Sequence, residues 1–130
     1  MKPLGITVHC SDSPQGRGDN AETIHKWHNE RGWDGIGYHY VILEDGTIEN
    51  GRPDYWMGSH CRGHNNTLGI CLIGEDSFTE EQYDSLHSLI DEKTEKYGFG
   101  TDRVHGHYKY SSKTCPNFDV QKYLSDYGLI

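Results

Sequence analysis

Leu68-Gly69-Ile70-Cys71-Leu72-Ile73 is a continuous apolar run between a polar loop and a helix-start signal. Such a run reads as a strand buried on both faces, the interior strand of a sheet covered on each side. Working outward, Leu4 to Cys10 reads as a second strand by its β-branched content. Tyr38 to Leu43 is a third, and Glu44-Asp45-Gly46-Thr47 turns it into a returning strand, Thr47 to Asn50, because Asp-Gly tolerates positive φ. A short strand is expected near Arg103 to Gly106.

Helices fall between these strands. Asp19-x-x-Glu22 resembles a capping box, with Ile24, Trp27 and His28 at helical spacing behind it and Gly32 as the stop. Thr79-Glu80-Glu81-Gln82 is a second box. Tyr83, Leu86, Leu89, Ile90 and Tyr97 then trace one helix face, which Gly98 ends. A last helix is expected from about Asp119 to Tyr127. Interleaved strands and helices give an α/β class with a mixed sheet. The 130 residues support one core, so residues 1–130 are expected to form a single domain.

Composition excludes some functions. Twelve basic against twenty acidic residues leave a net charge of -8. That balance argues against a nucleic-acid partner and against adhesion to an anionic membrane. No apolar run approaches the roughly 18 residues needed to cross a bilayer. The amino terminus, Met1-Lys2-Pro3-Leu4-Gly5, lacks a signal-peptide core, so synthesis in a reducing cytoplasm is the expectation. The four cysteines, Cys10, Cys61, Cys71 and Cys115, form no C-x-x-C pair, which argues against a zinc ribbon. Cys10 and Cys71 read as buried thiols, whereas Cys61, in the long polar loop Gly51 to Asn66, is expected to be more exposed.

Nine histidines exceed what a core needs and raise metal or proton chemistry. His9 lies in the strand Gly5-Ile6-Thr7-Val8-His9-Cys10. His107 and Cys115 bracket the loop Tyr108 to Thr114, which can bring both ends to one metal. Two imidazoles and a thiolate leave the fourth zinc position to water, the pattern of a catalytic site. Taken alone, His9 reads more readily as a hydrogen-bonded core residue than as a ligand. His105 is a rival ligand, because in a strand it shares a face with His107; as a fourth ligand it would make the site structural, and otherwise it would hydrogen-bond behind the ligands. Spacing alone leaves these alternatives open. His25, His28, His64 and His87 do not read as ligands. His39 faces away from Tyr38, toward a core or supporting role.

The segments Val8-His9-Cys10-Ser11, Trp27-His28, Gly32-Trp33, Gly37-Tyr38-His39-Tyr40, Asp45-Gly46-Thr47, Gly58-Ser59-His60, Leu68-Gly69-Ile70-Cys71-Leu72 and His107-x5-Lys113-x-Cys115-Pro116 follow one another in an order that resembles the type 2 N-acetylmuramoyl-L-alanine amidases. That family includes small phage amidase endolysins and peptidoglycan recognition proteins, and the resemblance runs from about Ile6 to Tyr123. It implies a central mixed β-sheet flanked by helices and a Zn2+ bound by His9, His107 and Cys115, selecting His107 over His105. It implies catalytic roles for Tyr38 and Lys113 and a substrate-groove position for His60. Some members use a glutamate for proton transfer, and no clear equivalent is present in this sequence.

The activity implied is zinc-dependent hydrolysis of the amide between N-acetylmuramic acid and L-alanine, by a monomer released to the wall through a phage holin. Two other functions belong to the same resemblance. One is non-catalytic muropeptide binding, but the members that only bind typically lack the zinc cysteine, and Cys115 is present. The other is regulation of a phage RNA polymerase, which depends partly on an amino-terminal extension. Here only about eight residues precede His9, so that extension is expected to be absent or shortened.

Overall fold

The computed structural model describes residues 1–130. Five strands, β1 (Ile6–Cys10), β2 (Tyr40–Ile42), β3 (Ile48–Asn50), β4 (Leu68–Leu72) and β5 (Val104–Gly106), form one sheet in the order β3-β2-β4-β1-β5. β3 runs antiparallel to β2, and all other pairings are parallel. The apolar run at β4 lies at the centre of the sheet, and both neighbours are strands that the sequence also marked. Three helices complete the fold: α1 (Ala21–Glu30), α2 (Glu80–Tyr97) and α3 (Val120–Asp126). None is long and apolar enough to cross a membrane.

Strand alternation divides the core into two layers. Ile6 and Val8 of β1 and Leu68, Ile70 and Leu72 of β4 point to one side, where Leu86, Leu89 and Ile90 of α2 and Val120, Tyr123 and Leu124 of α3 cover them. On the other side, Ile24 of α1 packs with Ile36, Val41, Cys71 and Ile73. That cluster reaches only the β2 and β4 part of this face, and His9 of β1 lies beyond it, on the same side of the sheet as Cys71.

The helix starts follow their caps. Thr79 and Gln82 form the expected box, and the buried Gln82 amide also donates to the carbonyls of Ile42 and Ile73. This ties α2 to the ends of β2 and β4. At α1 the cap is Asn20, boxed with Thr23, rather than Asp19 with Glu22. The Asp19 carboxylate is taken by the Arg17 guanidinium at 2.9 Å and cannot serve the helix.

Cys61 corrects another expectation: it is buried, 3% exposed. The Asn65 side-chain oxygen accepts the N–H groups of His60 and Cys61, both at 2.8 Å, and folds the polar loop inward. All four cysteines are free thiols.

Candidate metal and active site

Each functional side chain is delivered by a separate device. His9 occupies the penultimate position of β1, in register with Cys71 of β4, and is 2% exposed. β5 ends at Gly106, and the chain turns into a short 3₁₀ segment that begins with His107. This break separates the two histidines that a longer strand would have aligned. His107 joins His9, whereas His105 contacts Gln121 and Lys109 at the sheet edge. The carbonyl of Cys115 accepts the Tyr108 N–H at 2.9 Å, folding the loop back on itself. Nitrogens of His9 and His107 and Sγ of Cys115 all lie within 4.8 Å of one another.

Tyr38 is placed by α1. His25 and His28 accept the backbone N–H groups of Ile36 and Gly37 through Nδ1, at 3.0 and 2.9 Å. The segment lies so close to its neighbours that a Cβ on Gly37 would meet the Ser59 carbonyl oxygen at 2.0 Å. The Tyr38 ring then stands 5.0 Å from that of His9. Tyr38, Lys113 and His60 line one cleft of about 230 Å3 with the three clustered residues. Asp12, Arg31 and Trp33 are among its other lining residues, and Asp12 is its only carboxylate, so no glutamate lines it.

The electrostatics suit a cation. Burial, followed by the like charges of His60, His107 and Lys113, pushes His9 well below the ordinary histidine value. His107 is lowered by burial and by Lys113. Both imidazoles are therefore neutral near pH 7 and can offer lone pairs. The Cys10 thiol and the Cys10 backbone N–H, the latter at 3.3 Å from Sγ, hold Cys115 below its ordinary value. Neutral imidazoles with an acidified thiol form a donor set that fits Zn2+ with one position left open. Burial, helped by nearby thiols, pushes the Tyr38 hydroxyl well above 10, so it remains a hydrogen-bond donor.

The N-acetylmuramoyl-L-alanine amidase family model matches residues 1–118, nearly the whole chain. The chain belongs to the N-acetylmuramoyl-L-alanine amidase family. Similar proteins agree with this over most of their length. The endolysin of Escherichia phage T7 is 37% identical over 96% of this chain and 87% of its own. The endolysin of Klebsiella phage KP32 is 36% identical with the same coverage. Among solved structures, the endolysin amidase LysCS from Clostridium intestinale superposes with a TM-score of 0.87 at 32% identity, covering 98% of this chain and 84% of that one. Drosophila PGRP-LB shares the fold, with a TM-score of 0.82 at 24% identity over 98% of this chain and 82% of its own. The amidase fold and the enzyme class implied by the motifs are thus found.

Two further histidines support this amidase site: His39 in the role its strand position suggests, and His28 in one that the sequence reading does not assign. His28 lies outside the donor cluster, as expected, and it lines the cleft and holds the backbone that presents Tyr38. The adjacent Trp27-His28 and Gly-Tyr motifs were the available signal. His39 is fully buried, accepts the Gly69 N–H and donates to the Trp56 carbonyl, bonding β4 to the long loop.

Proposed function

We propose that this amidase is a zinc-dependent endolysin that hydrolyses the amide bond between N-acetylmuramic acid and L-alanine in peptidoglycan. The single observation that carries the reading is the His9–His107–Cys115 cluster, set in a cleft with Tyr38 and Lys113 on its walls. His9, His107 and Cys115 would hold the ion. Zinc bound there supplies Lewis acidity toward the scissile carbonyl and the attacking water.

The remaining work falls to the chain's own groups. The exposed Lys113 ammonium reaches the cleft from the loop and stabilises negative charge that develops on the carbonyl oxygen. Tyr38 donates from its hydroxyl, orienting the water or carrying a proton toward the leaving amine. His60 belongs to the groove by position. The muropeptide is the expected substrate, acted on by a monomer that reaches the wall by holin-mediated release.

Cys115→Ser tests the reading. It should weaken zinc binding in equilibrium dialysis and abolish release of soluble peptides from purified peptidoglycan. Cleavage by a metal-free Cys115→Ser protein at the wild-type rate would refute it.

A further inference from the structure

His60 has no free polar atom to offer a substrate. Its Nε2 lies 2.9 Å from the Thr67 carbonyl oxygen and its Nδ1 lies 2.9 Å from Nε2 of His9. A carbonyl only accepts, so His60 Nε2 carries the proton. A neutral imidazole carries one proton, so with Nε2 protonated Nδ1 is a lone pair. That lone pair accepts the N–H at Nε2 of His9. His9 Nδ1 is left unprotonated, and it is this nitrogen that faces Sγ of Cys115 at 3.9 Å.

We propose that His60 is a positioning residue that fixes the tautomer and ring orientation of His9 through the chain Thr67 carbonyl, His60, His9. The proposal rests on the zinc reading above. The fold is shaped around this ring. A Cβ on Gly69 of β4 would come within 2.7 Å of it, and a Cβ on Gly58 within 2.3 Å. Two glycines thus leave room for the imidazole against β4. The Asn65 oxygen fixes the His60 backbone, and Thr67 is held in turn by the Thr7 hydroxyl at 2.8 Å. Partners of this kind typically change metal affinity by about 10- to 100-fold when removed.

Two variants and one spectrum test this. His60→Phe keeps a ring over Gly69 and deletes both nitrogens. His60→Asn restores an acceptor near the Nδ1 position. Zinc affinity is read by competition with a chromophoric chelator, and the His9 tautomer by nitrogen-15 NMR of the metal-free wild type. The expected results are a proton on Nε2 of His9, about 10- to 100-fold weaker zinc binding in His60→Phe, and recovery of most of that affinity in His60→Asn. A proton on Nδ1 of His9 in the wild type, or wild-type affinity in a folded His60→Phe, overturns the proposal. If His60→Phe fails to fold, the wild-type tautomer decides. A wild type that binds no zinc yet carries the Nε2 proton refutes the metal reading while upholding the orientation of His9.

Discussion

At the scale of single residues, the proposed zinc reading separates the three clustered donors, which would hold a metal, from groups that would act on a substrate. On that reading Tyr38 and Lys113 fall in the second set: neither is among the clustered donors, and both line the cleft. Tyr38→Phe removes only a hydroxyl that burial keeps protonated. Lys113→Met removes only a charge on an exposed loop. Each should lower kcat by about a hundredfold while leaving zinc affinity close to wild type. Steady-state kinetics on a soluble muropeptide, paired with a zinc titration, would show the split. Loss of zinc in parallel with rate would place either residue in the metal-holding set instead. The candidate ligand types were legible in the sequence, because nine histidines exceed what a core needs and Cys115 lies in a polar loop. Their support was not. His60 meets His9 across 51 positions of chain, and Thr67 acts through a carbonyl that every residue possesses.

At the scale of elements, the long polar loop is fixed by a buried charge cluster that spacing could not reveal. The Asp54 carboxylate receives the Lys93 ammonium of α2 at 3.0 Å and the hydroxyls of Tyr97 and Tyr40 at 2.6 and 2.5 Å. The Lys93 ammonium also lies 4.8 Å from the centre of the Tyr40 ring. The Lys93 side chain is 5% exposed and that of Asp54 13%, so little water screens the pair. Removing one partner strands the other charge in a poorly solvated place. Lys93→Ala should therefore destabilise the fold by about 3 kcal/mol, measured by urea denaturation. A change under about 0.5 kcal/mol would show that solvent replaces the ammonium without penalty. Lys93 shares the helix face of Leu86, Leu89, Ile90 and Tyr97, so its burial follows from helical spacing, whereas its pairing with Asp54, 39 positions away, does not. The α1 cap shows the same limit. Asp19 and Asn20 are both good caps, and the choice between them was made by Arg17, whose ion pair is a local folding outcome.

At the scale of the whole molecule, the layered α/β fold was legible because one apolar run demanded cover on both faces. The amidase motifs then followed in order along nearly the entire chain. The fold also buries several neutral histidines, and this sets its response to acid. His28 is held down to about 4 and His60 to about 3, and burial lowers His9 and His39 as well. In the unfolded chain each titrates near 6.5. As pH falls through 6.5, the unfolded state takes up protons that the folded state refuses. The stability contributed by these groups is therefore complete above about 6.5 and is lost progressively as pH falls toward about 4. Melting curves of the metal-free protein should show Tm falling steadily across that window. A flat Tm would mean that these rings accept protons in place.

The central claim is zinc-dependent cleavage of one bond, and mass spectrometry of purified peptidoglycan after incubation with the protein reads that bond directly. The predicted result is free stem peptides bearing a new L-alanine amino terminus, produced by the zinc-loaded protein, lost with a chelator and regained when zinc is restored. Intact peptidoglycan from the zinc-loaded protein, or the same peptides in the presence of chelator, would contradict it.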